Sequence, residues 1–348
     1  MENCLNKSFT YLTIILFLAL SGCKEEDVFL DDTTEVKENE YYAKWLEKQN
    51  SWIYSQMHKS YLWSDQLLDS LDYDYTLEPS QFYESMLVAE DRFSYCEYND
   101  GYIPPMKGIG LNETVSFDSV YFSGGKKVGY FIYDEFASKA DITDVVLKFK
   151  RQHIDELIVD VRNNPGGAVE TCNYLASLLV PQKHIGDVFA SYRYNRYLSQ
   201  KLYEDTGSYI EVQYLKDDYL TRSRNLNMSR VFFLVNGHSA SCSELIINTL
   251  KPYLKTVVIG ETTVGKDVGM RACYGQKYMY RLWPITFRAY NVSGDPVPST
   301  GIVPDIYVKD IPHKQIGDTN ESMLKRALEY ISGEVVSLPS VPAGDSVR

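Results

Sequence analysis

Three short stretches hold residue types that could be assembled into a nucleophilic site, and each follows a run of apolar, buried-type residues. The first is Asn236-Gly237-His238-Ser239-Ala240-Ser241-Cys242-Ser243-Glu244, between a strand expected over 230–235 and a helix expected over 241–254. A serine at a helix N-terminus lies beside unbonded backbone N–H groups and the positive end of the helix dipole. Those donors can hold the oxyanion that forms when the hydroxyl attacks a carbonyl. By itself the stretch reads equally as a capping segment, with its serines and Glu244 serving the helix end. The second stretch is Gly260-Glu261-Thr262-Thr263-Val264-Gly265-Lys266, after a strand over 256–260. A lysine acts as a general base only if burial brings its pKa down from about 10.4. Val258, Val264 and Val268 are the apolar neighbours in sequence that could do so, whereas a lone Gly-Lys is usually a surface turn. The third stretch is Asp160-Val161-Arg162-Asn163-Asn164-Pro165-Gly166-Gly167, after a strand over 156–161. Its glycine pair lets backbone amides approach a substrate oxygen, Pro165 stiffens the turn, and Asp160 and Arg162 can pair to brace it. No Walker pattern supports phosphate cradling instead.

These stretches need a scaffold that brings strand ends together, and the apolar periodicity supplies one. Strands are expected over 115–122, 127–133, 156–161, 230–235 and 256–260, with helices over 142–153, 169–179 and 241–254 between them. Alternating buried strands and helices predict an α/β layered core of crossover units, whose ligands gather at strand carboxyl ends. Residues 41–95 carry aromatic and aliphatic side chains at helical spacing, including Trp45, Trp52, Ile53, Met57 and Tyr61, and predict a small helical N-terminal domain. Residues 183–229 are polar and rich in Tyr and Arg, with little periodicity. They read as an insertion, either a lid near the site or a plain surface excursion. A last helix is expected over 321–331, followed by a frayed tail.

The chain has 348 residues, a net charge of −12 and 44% hydrophobic residues, which favours a globular body and disfavours nucleic acid as a partner. Its six cysteines include no C-x-x-C pair, so no zinc or redox motif is indicated; Cys96, Cys172, Cys242 and Cys273 read as buried free thiols, with pairing in an oxidising compartment as the open alternative. Residues 1–23 have a short polar start with Lys7, an apolar run from Phe9 to Leu20 and the ending Leu20-Ser21-Gly22-Cys23, the build of a secretory signal. The apolar run is short for a transmembrane helix. Residues 23–40 contain Lys24-Glu25-Glu26-Asp27 and Asp31-Asp32, and read as an acidic, disordered tether.

The Leu-Ser-Gly-Cys ending resembles a bacterial lipobox, which implies a signal peptide over 1–22, lipidation at Cys23 and a membrane anchor. The acidic run after it resembles the surface-export signal of Bacteroidetes lipoproteins, with a solvated spacer as the alternative. The three loop stretches together, in this order, resemble the C-terminal processing (tail-specific) serine proteases over about residues 126–310. Trp283-Pro284-Ile285-Thr286-Phe287 and Gly301-Ile302-Val303-Pro304-Asp305 look like the end of that domain. Glu90-Asp91-Arg92-Phe93-Ser94, closing a helical domain over 41–100, is similar to lipoprotein members from Bacteroidetes. Lys266 follows Ser241 by 25 residues, which fits the family spacing and selects Ser241 over Ser239 and Ser243. The resemblance implies Ser241 as nucleophile, Lys266 as its base, and the backbone amides of Gly166, Gly167 and Cys242 as oxyanion donors. It implies a polypeptide substrate and no metal or organic cofactor, in an enzyme of the cell envelope. His238 is the competing base, and Glu261 reads as a structural partner.

Three departures qualify the likeness. Residues 101–125 form a short connector where the family carries a PDZ domain, too few for that fold. Met270 stands where many members have a glutamine that orients the lysine, and an aspartate common in the helix after the serine is replaced around Pro252. The rival expectation is therefore a catalytically inactive, lipid-anchored protein that binds a peptide or another ligand on the same scaffold. Residues 311–348 complete the chain as a C-terminal helix and tail.

Overall fold

The computed structural model describes residues 32–98, 114–274, 280–311 and 317–334. The signal segment with Cys23, most of the connector and the C-terminal tail fall outside the described residues. The chain divides into two compact units, residues 1–45 and 46–348. The first is described only through the start of helix α1 (Asp32–Ser60). That helix begins inside the stretch expected to be a disordered tether and corrects its boundary. A polar composition does not by itself exclude a helix, so the helical spacing legible from residue 41 extends backwards to Asp32.

In the second unit, α1 continues to Ser60 and is followed by α2 (Pro79–Ser85), whose proline opens the helix where no N–H is needed. Ile53, Met57 and Tyr61 of α1 pack with Phe82, Tyr83 and Met86. Leu282 joins this cluster from β10 (Tyr280–Trp283), which pairs antiparallel with β1 (Tyr95–Tyr98). The aromatic stripe read from the sequence is thus core.

The central sheet contains β2 (Val115–Ser123), β3 (Lys126–Tyr133), β4 (Glu156–Asp160), β7 (Arg230–Val235), β8 (Lys255–Gly260) and β12 (Ile306–Tyr307). Their order is β12-β8-β7-β4-β3-β2, parallel throughout except that β2 runs antiparallel to β3. The two-residue period of the strands divides their side chains between two cores. Leu157, Val159, Val231, Phe233 and Val235 pack with α3 (Lys139–Gln152), α4 (Val169–Leu179) and α7 (Cys242–Leu250). Ile158, Phe232, Leu234, Val257 and Ile259 pack on Met323, Leu324 and Ala327 of α8 (Ser322–Ser332). Strands buried on both faces explain the continuous apolar runs.

Residues 183–229 are not the irregular insertion expected. They contain β5 (Val188–Tyr194), α5 (Arg196–Thr206), β6 (Glu211–Tyr214) and α6 (Tyr219–Arg224). Here β5 and β6 join β9 (Val268–Met270) and β11 (Ile285–Tyr290) in an antiparallel sheet of order β6-β5-β11-β9. Phe189, Ala190 and Tyr192 of β5 enter the main core beside Phe287 and Ala289 of β11. The stretch looked aperiodic because its partners lie about a hundred residues downstream, while α5 has no buried residue and so no apolar face to read.

Candidate active site

The neighbours β4, β7 and β8 run parallel, so the three loops that leave their carboxyl ends emerge side by side. Backbone bonds stitch the loops together. The Ala240 N–H donates to Asn164 O at 3.1 Å, and the Val264 N–H to Ser239 O at 3.1 Å. Of the three serines, Ser239 donates through Oγ to Val161 O and accepts from Asn236 N, while Ser243 donates to Asn164 O. Both are fully buried and committed to the scaffold, whereas Ser241 is partly exposed at the head of α7. Ser241 has φ +56° and ψ −113°, backbone rarely adopted by a residue with a Cβ and costing on the order of 1–3 kcal/mol.

Glu244, one turn into α7 and 0% exposed, carries the junction. Its Oε2 accepts from the N–H of Ser241 at 3.0 Å and from the N–H of Lys266 at 2.8 Å, so the two nitrogens lie within about 6 Å. Its Oε1 accepts from Thr263 Oγ1 at 2.5 Å and from Gly265 N at 2.6 Å. One carboxylate therefore reaches back to the helix cap, as in a capping box, and also grips the lysine loop. Sequence reasoning saw the capping role but not the second one. The spacing from Ser241 was visible, whereas the reach to residues 263–266 depends on β8 lying beside β7.

Lys266 is half-buried, with Nζ 5.3 Å from the centroid of the Phe93 ring. Burial pushes its pKa below the ordinary lysine value; Cys242, Glu244 and Asp91 pull the other way without reversing the shift. Among the described residues no carboxylate lies within ion-pair distance of the amine. His238, the competing base, is exposed on the turn before the helix, and the bond placed there is its backbone N–H to Asn236 Oδ1.

The three amides named as oxyanion donors separate. Cys242 N, at the first turn of α7, and Gly167 N have no hydrogen-bond acceptor among the described residues. Gly166 N, in contrast, donates to Asn164 Oδ1 at 2.9 Å, which corrects the expectation that it is a free donor. Gly166 matters for its missing side chain. At φ +109°, a Cβ here would stand 2.6 Å from Ser241 Cβ, 3.0 Å from Ser241 Oγ and 2.9 Å from Cys242 N.

Asp160 and Arg162 do pair, with Arg162 Nη2 2.7 Å from Asp160 Oδ2, and Arg162 also reaches Asp310 and Glu321. Glu261 accepts from the Asp310 N–H, a structural role. The four described cysteines are free, with Cys172 and Cys242 buried beneath the site. Met270 lies in β9 opposite Ile285, and no cluster able to hold a metal occurs among the described residues.

Serine-type hydrolases are the class that sets a hydroxyl at a helix head beside unbonded amides and a shielded amine, and comparison with known proteins narrows the class. The model of "Peptidase family S41" matches residues 127–308, and that of "Peptidase S41 N-terminal domain" matches 48–95. The chain belongs to peptidase family S41. It is 28% identical over 158 residues to a "Probable CtpA-like serine protease" of Staphylococcus aureus, across 45% of this chain and 28% of that one. It is 27% identical over 162 residues to a "Carboxyl-terminal-processing protease" of Picosynechococcus, across 46% of this chain and 34% of that one. The matched part thus spans about a third or less of these relatives. A Bacteroides fragilis structure named as an S41 protease superposes with a TM-score of 0.68 at 21% identity, covering 82% of this chain and 97% of that one. The fold is therefore the mixed α/β fold of S41 structures, with a helical N-terminal region.

Proposed function

We propose that this protein is a serine-type peptidase acting on polypeptides through a Ser241–Lys266 dyad. The observation that carries the reading is the Glu244 carboxylate, which bonds the backbone of both residues with one oxygen, beside a half-buried lysine whose pKa burial lowers. Neutral Lys266 takes the Ser241 proton as Oγ attacks the peptide carbonyl carbon. The Cys242 and Gly167 N–H groups receive the oxyanion, the lysine returns its proton to the departing amine, and water then releases the acyl-enzyme. The enzyme is held in the bacterial envelope by a lipid on Cys23 and takes substrate without a full PDZ domain, as a Bacteroidetes-type lipoprotein. The lipobox-like ending and the short span between helical unit and core support this part of the reading.

A fluorophosphonate probe tests the chemistry. Wild type is expected to label on Ser241, with labelling lost in Ser241→Ala. Wild type that does not label, or labels no more than Ser241→Ala, would leave the scaffold as an inactive binding protein. Labelling with palmitate and its loss in Cys23→Ala tests the anchor.

A further inference from the structure

Residues 91–94, which close the helical unit, are tied down more firmly than a linker requires. Asp91 Oδ1 accepts from the N–H groups of Phe93 and Ser94, both at 2.9 Å, and fixes the turn. Arg92 Nη2 donates to Gly265 O at 2.7 Å and Ser299 O at 3.0 Å, which fastens the strip to the lysine loop itself. Ser94 Oγ accepts from Ile285 N at 2.7 Å, fastening the other end to β11. Phe93 sits between these ties. Its ring centroid is 5.3 Å from Lys266 Nζ and 4.7 Å from the Arg92 guanidinium carbon.

We propose that Phe93 is a positioning residue for the base: its ring, delivered by residues 91–94, covers the Lys266 amine and excludes water from it. The inference rests on the dyad reading above. An aromatic face attracts the charged amine, whereas exclusion of water favours the uncharged one. With burial the dominant influence on Lys266, exclusion of water decides the sign. The other groups facing the amine are Cys242 and Glu244 from α7 and Asp91 from the strip itself. Asp267, beside it in the chain, is paired with Arg288 of β11. None of them covers the amine with apolar surface. The helical unit then completes the active site rather than merely preceding it: without the docked strip, the lysine loop keeps its Glu244 clamp but opens the amine to solvent.

The test is the rate of fluorophosphonate labelling of Ser241 against pH, on the full chain, with melting curves for every variant. In wild type the rate rises with pH as Lys266 loses its proton. Phe93→Ala admits water and raises the lysine pKa, so the rising limb is expected to move up by about one pH unit. Labelling on its acid side slows about tenfold, with the alkaline plateau retained. Phe93→Tyr keeps the cover and should restore the wild-type limb. If Phe93→Ala fails to fold, Phe93→Leu replaces it, with a smaller upward shift expected. A limb that stays in place in the folded small variant, however far the rate falls, overturns the proposal and leaves the dyad intact. Wild type that does not label at all overturns both.

Discussion

Replacing Glu244 by glutamine is the sharpest test of how the site is held together. The carboxylate accepts four hydrogen bonds, three from backbone N–H groups that can only donate and one from Thr263 Oγ1. Thr263 Oγ1 also accepts from Ile302 N at 2.7 Å. An amide keeps one acceptor oxygen and turns the other into a donor. If the NH2 faces Ser241 and Lys266, two backbone N–H groups lose their acceptor. If it faces the other side, Gly265 N and the Thr263 hydroxyl lose theirs. The first orientation strands two donors in a part-buried place; the second strands the buried Gly265 N–H, while the Thr263 hydroxyl can turn to accept from the amide. At about 1–3 kcal/mol for each stranded donor, plus the lost charge assistance of the bonds that remain, the expected destabilisation is about 2–4 kcal/mol. The cheapest escape is for residues 263–266 to move off the helix head, which carries the lysine from the serine and should slow labelling at least a hundredfold. Denaturant melts and probe labelling measure the two effects separately. A Glu244→Gln protein with the wild-type midpoint and labelling within threefold of wild type would refute the clamp.

Lys266→Met should abolish turnover while leaving the melting midpoint within a degree or two, since an apolar side chain of similar length fills a site already shielded from water; preserved activity would remove the lysine from the mechanism. Gly166→Ala places a methyl 2.6 Å from Ser241 Cβ and against Cys242 N, at a backbone conformation unsuited to alanine. We expect a loss of kcat of about 100-fold or more, the scale for a blocked oxyanion donor, measured with a chromogenic ester or peptide. Arg162→Met leaves Asp160, Asp310 and Glu321 without their shared cation and should cost about 3–5 kcal/mol in a denaturant melt. Because burial depresses the Lys266 pKa and the base must be neutral, kcat/KM should rise with pH through a limb below the ordinary lysine range; a limb at or above that range would mean the amine is solvated.

The sheet was largely legible because its strands are buried on both faces. Residues 230–235 and 169–179 carry enough apolar density to fix both element and boundaries, and the structure places them at Arg230–Val235 and Val169–Leu179. The helix expected to run to residue 254 stops at Leu250, before Pro252, whose ring is incompatible with the helix interior. The second sheet was invisible because β5, which carries β6 on its other edge, is placed by pairing with β11, a contact of long sequence separation. Loop chemistry and spacing pointed to Ser241, Lys266, Cys242 and Gly167, which the structure places on adjacent loops. Glu244 was seen in only one of its roles, and Phe93 was seen as part of a motif without a task. Both omissions share one cause: a side chain that acts across two loops leaves no local periodicity, only a residue type that suits several duties.

A capping segment and a nucleophile at residues 239–244 do not exclude one another. Ser239 and Ser243 lock the loop to β4 and its following turn through Val161 O and Asn164 O, and Glu244 caps the helix through the Ser241 N–H. Those bonds hold Ser241 at φ +56°, a conformation the residue would leave if released. Ser241 is partly exposed there, beside an N–H that the helix leaves unbonded at Cys242. The ordinary devices that start a helix thus fix the geometry a nucleophile needs. The one addition is that the capping carboxylate belongs to a longer acidic side chain able to reach a second loop. An aspartate at position 244 could in principle still cap, but its shorter reach would not span to Gly265 and Lys266. Glu244→Asp would leave the Gly265 and Lys266 N–H groups without an acceptor, so it should cost stability on the scale of Glu244→Gln and lose the lysine's placement while keeping the cap on the Ser241 N–H.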